Sequence, residues 1–236
     1  MKDVAITDDL FSVGLYTITD ASRIVSQALR KRIPAINLKR WAEGRKTLQR
    51  DYASIIGSRF RVAGTDAFTF TQLVELLTIA LLREEGFSLR KVRYAYERAL
   101  ELFGPEPFAS QTYSVNGKRL FEKQDRYASG MEDLTSGQLA FETIVKPLLH
   151  DIVIYEGNRS RELNPLGKDR SVILNPALSY GSPVNRDTGI PTSILYGMFK
   201  SEGGTEASKT RVAVWYRVSV QGVQDAVEYE TALLAA

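Results

Sequence analysis

The stretch Asn175 to Ser193, NPALSYGSPVNRDTGIPTS, sets prolines and glycines at fixed points and opens straight into an amphipathic run. Proline locks φ and removes a donor, while glycine permits positive φ, so these residues dictate a chain path rather than a chemistry. Beyond Pro191 the pattern predicts three short helices, near 193–201, 206–213 and 220–234. Thr205 and Ser219 are expected as caps, and Gly203-Gly204 as a turn. The last helix sets Val223, Ala226, Val227 and Leu233 or Leu234 on one face. Three short helices have the size of a helix-turn-helix module.

Charge is uneven along the 236 residues. Residues 1–61 carry 12 Lys+Arg against 6 Asp+Glu, and residues 30–61 alone carry 10 against 2. The remainder is net acidic, so a polyanion partner is expected at the N-terminal end. The lack of cysteine excludes disulfides, thiolate zinc sites and a cysteine nucleophile. No apolar run approaches a membrane span, and MKDVAITDDLF lacks a signal-peptide core, so a cytoplasmic protein is expected.

Residues 15–45 read as two short helices. Thr19 or Asp20 caps the first, with Ala21, Ile24, Val25 and Ala28 inward. Lys31 and Arg32 fall in the turn. Pro34 suits the first position of the second, where Ile36, Leu38 and Trp41 face inward and Asn37, Lys39 and Arg40 outward. Gly44 ends it. Lys and Arg neutralise phosphates, and Asn and Arg also read base edges. In residues 45–64 a hairpin is expected to carry Arg45, Lys46 and Arg50 onto a flanking phosphate or into a minor groove.

In the middle, residues 69–86 predict a strong helix through Leu73, Leu76, Leu77, Ala80 and Leu81, closed by Gly86. Ser88 caps a second helix ending at Gly104, with Leu89, Val92, Tyr96, Ala99, Leu100 and Phe103 on one side. Asn116-Gly117 predicts a hairpin over 111–124. Residues 138–150 look helical, with Pro147 shortening the helix. Gly157-Asn158 marks a second hairpin. The sole histidine, His150, suits a helix-terminal charge role better than a metal. Residues 163–190 read as a loop-rich linker with a short strand, Ser171 to Leu174.

The expected fold is mainly α with small β-hairpins (α+β): a winged helix-turn-helix over 1–64, a helical hairpin and α/β middle over 65–162, and a three-helix module over 163–236. No paired carboxylates, histidine dyad, Gly-rich phosphate loop or metal cluster stands out, so neither catalysis nor a cofactor is expected. From Val218 onward there are three acids, Asp225, Glu228 and Glu230, and no Lys or Arg. Phosphate would repel such a helix. DNA is therefore assigned to the N-terminal module, and protein contact to Asp225, Glu228 and Glu230.

Two resemblances bear on function. Tyr16, Thr17, Ala21, Arg40 and Trp41 make the N-terminal segment similar to the helix-turn-helix of MerR-type regulators. The C-terminal block resembles an antitoxin-like helix-turn-helix family, domain of unknown function 433, through Asn175-Pro176, Gly181-Ser182-Pro183, Thr188-Gly189-Ile190-Pro191 and then Val223, Ala226 and Tyr229. The combined layout looks like longer antitoxins of VapB type. That resemblance implies a homodimeric autorepressor that binds double-stranded operator DNA and neutralises a PIN-like ribonuclease toxin. The alternative is a stand-alone MerR-type regulator with a small-molecule effector among Tyr94, Tyr96, Phe103 and Phe108.

Overall fold

A computed structural model describes residues 14–46, 51–56, 60–62, 65–116 and 145–235 of the chain. The architecture is mainly helical with small antiparallel strand pairs, as expected. Strand β1 (Leu15–Thr17) runs into helices α1 (Ile18–Leu29) and α2 (Ala35–Glu43). Four short strands follow: β2 (Arg45–Lys46), β3 (Asp51–Tyr52), β4 (Phe60–Val62) and β5 (Thr65–Thr69). The order β1-β5-β4 makes a three-stranded antiparallel sheet, and β2 pairs with β3 alone.

The interior is built around α3 (Phe70–Glu84), which is hidden on every side. Thr69 caps it in a reciprocal capping box with Gln72. A helix that is apolar all round belongs inside, and Leu73, Val74, Leu76, Leu77, Ile79, Ala80 and Leu82 are all fully buried. Ser88 caps α4 (Leu89–Phe103), as its sequence indicates. Val92, Ala95, Tyr96 and Ala99 face the core, but Leu100 is 42% exposed. A 3-10 turn at Pro107–Ala109 buries Phe108 against Tyr96 and Tyr113, with ring centroids 5.0 and 4.6 Å apart.

The hairpin expected over 111–124 is corrected in its first half. Gln111–Asn116 forms a helix, α5, because the Ser110 hydroxyl accepts the Tyr113 N–H (3.1 Å) as a cap and Tyr113 is drawn into the core. Residues 117–124 lie outside the described residues, as do 138–144 of the helix expected there. Pro147 sits in the first turn of α6 (Lys146–Ile152), where a missing N–H costs nothing. The hairpin β6 (Val153–Glu156) and β7 (Arg159–Leu163) turns at Gly157-Asn158 as expected. His150 is exposed in the last turn of α6.

Residues 163–190 are less of a free linker than their composition implies. They contribute β8 (Val172–Ile173) and β9 (Val184–Asn185), which pair with each other. Three helices close the chain: α7 (Thr192–Ser201), α8 (Glu206–Tyr216) and α9 (Val220–Ala235). They pack on their own apolar cluster, including Leu195, Phe199, Val212, Val223 and Ala226. Tyr229 of α9 packs instead with Leu166 and Val172.

The two ends of the chain meet at Tyr16. Its hydroxyl donates to the Gly181 carbonyl at 2.8 Å, and burial raises the phenol far above its ordinary pKa. Gly181 has φ +82°, and a Cβ there would strike the Tyr16 hydroxyl and lie 3.3 Å from Gly14 Cα. The Gly-Ser-Pro point of the punctuated stretch is thus a close approach of two backbones. Gly181→Ala should cost about 1–3 kcal/mol through left-handed strain and loss of this contact. An unchanged thermal midpoint would contradict that.

Candidate nucleic-acid interface

The N-terminal pair α1–α2 is held by side-chain bonds to its turn. Thr17, not Thr19 or Asp20, caps α1: its hydroxyl accepts the Asp20 N–H at 3.1 Å. β1 is paired to β5 up to Thr17, so the helix begins the moment the chain leaves the sheet. Arg30 ends α1 in the left-handed region, at φ 50°. The Ser26 hydroxyl then donates to the Ser22 carbonyl (2.6 Å) and accepts the Ile33 N–H (2.9 Å). The Ser22 hydroxyl donates to the Ile33 carbonyl at 2.5 Å. Ser22 and Ser26 thus clamp the turn. Two serines one helical turn apart ahead of a basic turn are the signal that sequence reading passed over.

Pro34 caps α2 through its extended backbone and is not itself the first helical residue. Leu38 and Trp41, three apart, fix the inward face. Ile36 lies about 200° round the helix from Leu38 and is 50% exposed, which corrects its inward assignment. Lys39 and Arg40 are exposed and Asn37 is half-buried. Among the described residues no ion pair engages Arg32, Lys39 or Arg40. Lys31, beside Arg32 in the turn, pairs with Glu84 at the end of α3.

Gly44, at φ 74°, swings the chain from α2 into the β2–β3 hairpin. Arg45 lies opposite Tyr52 and Lys46 opposite Asp51. Arg50 lies outside the described residues. The hairpin's return is anchored twice: the Ile55 N–H donates to the Trp41 carbonyl (2.8 Å), and Arg93 of α4 donates through Nε and Nη2 to the Ala53 carbonyl (3.2 and 2.9 Å). The structure therefore brings Arg32, Lys39, Arg40 and the hairpin carrying Arg45 and Lys46 into one contiguous N-terminal unit.

The C-terminal acids are placed differently from one another. Asp225 is 1% exposed. It accepts from Arg170 Nε (2.7 Å), the Ser171 N–H (2.8 Å), the Ser171 hydroxyl (2.9 Å) and the Gln221 amide (2.7 Å). Burial alone would raise its pKa, but these four donors together hold it below the ordinary carboxylate value. Glu228 reaches the same Arg170 and remains 45% exposed. Glu230 accepts from the Thr192 hydroxyl. Among the charged and polar side chains at its surface the module also exposes large apolar ones: Val214 is 70% exposed and Trp215 is 54% exposed.

Of the aromatics weighed for an effector, Tyr94 is exposed and Phe103 is half-buried, while Tyr96 and Phe108 pack edge to face in the core. Among the described residues, no cluster of acids and histidine could hold a metal ion, and no helix is long and apolar enough to cross a membrane.

The fold and surface define a mainly helical protein whose short helix α2 presents Lys39 and Arg40, outside any ion pair among the described residues, next to the β2–β3 hairpin. No family model matches the chain, so the MerR-like and 433-type resemblances rest on their motifs alone. The chain is 26% identical over 235 residues to a Mycobacterium tuberculosis protein named "Putative antitoxin VapB45", covering 92% of this chain and 94% of that one. It also shares the fold of the crystal structure of Rv2018 from M. tuberculosis, with a TM-score of 0.70 at 24% identity over 90% of this chain and 96% of the other.

Proposed function

We propose that this chain is the antitoxin of a type II toxin–antitoxin module, a non-enzymatic regulator that represses its own operon and neutralises a PIN-like ribonuclease. The observation that carries the DNA half is Lys39 and Arg40, outward and unpaired among the described residues on the helix that follows a serine-clamped turn. In this reading α2 enters the major groove of operator DNA. Asn37 and Arg40 face base edges, Lys39, Lys31 and Arg32 face phosphates, and the hairpin carries Arg45, Lys46 and Arg50 along the backbone. A two-fold dimer presents two such helices to half-sites about one helical turn apart.

The toxin half is carried by the likeness to a protein named as an antitoxin. The C-terminal module is the side we assign to the toxin. Its last helix, with three acids and no Lys or Arg after Arg217, suits contact with a basic nuclease groove better than contact with DNA. Glu228 is the acid with side-chain exposure to offer there, and Val214 and Trp215 of α8 are exposed apolar anchors of the same module.

Arg40→Ala should weaken binding to the chain's own promoter DNA by about tenfold, and Lys39→Ala should lower the salt slope by about one. Fluorescence anisotropy titrations at two salt concentrations measure both. Titrations indistinguishable from the unmodified chain would remove α2 from the DNA interface.

A further inference from the structure

An acidic cleft of about 380 Å³ opens between α3, α4, the base of the β2–β3 hairpin and the turn at Pro105-Glu106. Its walls include Ile55, Leu100 and Tyr96, together with three carboxylates: Glu75, Glu97 and Glu106. That volume lies within the range of small-molecule sites, and apolar walls with a few polar groups are their usual lining.

Glu75 is the unusual member. It projects from the innermost helix and is 1% exposed. Its Oε2 accepts from the Tyr96 hydroxyl at 3.2 Å, but its Oε1 is buried without a hydrogen-bond partner. A buried acceptor left unpaired is costly, and a chain that only needed a packed core would place leucine there. A carboxyl kept at that cost on the wall of a cleft has room on Oε1 for a donor beyond the Tyr96 hydroxyl and the nearby Phe108 N–H. Arg93 also lines the cleft, but its guanidinium is held on the Ala53 carbonyl.

We propose that this cleft binds a small aliphatic amine, its ammonium on Glu75 with Glu97 and Glu106 at the mouth, and its hydrocarbon on Ile55 and Leu100. With Glu97 and Glu106 at the mouth and Arg93 held on the Ala53 carbonyl, the lining favours a cation over an anion. The mouth suits a second ammonium, so diamines should bind better than monoamines. The site is independent of the DNA reading, since it is measured on the chain alone. Its wall, however, is the segment that ties the hairpin to the Trp41 carbonyl at the end of α2.

Burial pushes the Glu75 carboxyl up to about 8, the Glu106 charge adds to the rise, and the Tyr96 hydroxyl and the nearby Phe108 N–H oppose it. Near neutral pH an arriving ammonium therefore displaces a proton, and the binding heat should depend on the ionisation heat of the buffer.

Isothermal titration with butylamine, putrescine and spermidine tests the site, with 1,4-butanediol as the uncharged control. The expected result is saturable single-site binding of at least one amine with a dissociation constant below about 1 mM. Glu75→Gln should weaken it by at least about tenfold and abolish the buffer dependence, and Glu106→Gln should weaken it by less. Both variants should unfold no earlier than the parent on heating, since neither loses a packed group. Absence of saturable binding for all three amines, or equal affinity in Glu75→Gln, or equal affinity for the diol, would overturn the proposal.

Discussion

Replacing Asp225 by alanine is expected to destabilise the chain by about 2–4 kcal/mol, read from urea unfolding at neutral pH. The substitution removes the common acceptor of Arg170, the Ser171 N–H, the Ser171 hydroxyl and the Gln221 amide. It would release the segment before β8 from α9. Arg170 keeps Glu228 as a partner at the surface, so the loss falls short of an orphaned buried cation. Because the folded carboxyl is held below its ordinary value, its contribution is present above the unfolded pKa and is lost as pH falls through the folded one. Asp225→Asn should therefore flatten the acid limb of the stability profile. A variant as stable as its parent, with the same acid limb, would show that the Arg170–Asp225 arrangement contributes nothing.

Glu75 should produce the opposite dependence. Its folded pKa, raised to about 8 from an ordinary value of 4.5, means that the native state holds the proton more tightly than the unfolded chain. Stability is then greatest at the acid end of that interval and declines as pH rises through it, by up to about 1 kcal/mol per pH unit. The groups that face Glu75 or line the same cleft are Tyr96, Arg93 and Glu97 of α4, Gln72 of its own helix, and Glu106 and the Phe108 N–H of the following turn. Burial raises Glu106, and Arg159 opposes the rise. Glu75→Gln should remove most of the decline. Parallel profiles for parent and variant between about pH 5 and pH 8 would contradict it.

What could be read from sequence was local, and what could not was a contact between distant residues. Ser88, Thr205 and Ser219 were legible as caps because the cap bond spans three residues, and each makes it. Gly157-Asn158 was legible as a turn for the same reason. The cap of α1 was misplaced because its position depends on β1 pairing with β5, some fifty residues away. Asn116-Gly117 signalled a hairpin, yet Ser110 and the aromatic packing of Tyr113 made the approach to it helical. Residues 163–190 looked like a linker because their partners, Asp225 and Tyr229, lie on the last helix.

The site followed the same rule. Lys39 and Arg40 could be assigned outward from the spacing of Leu38 and Trp41. The engagement of Asp225 by Arg170, 55 residues away, has no sequence signature, and its charge alone suggested an outward acid. The acidic cleft was equally hidden, since Glu75 reads as a polar break in a leucine-rich helix until α4 is folded across it.

The most direct test of the antitoxin assignment is co-expression with the product of the neighbouring gene, followed by size-exclusion chromatography with mass determination. A stable complex holding a small second protein, whose arrest of growth is relieved when this chain is present, is the predicted result. A clean homodimer without that partner, in cells whose growth the neighbour's product does not arrest, would contradict it.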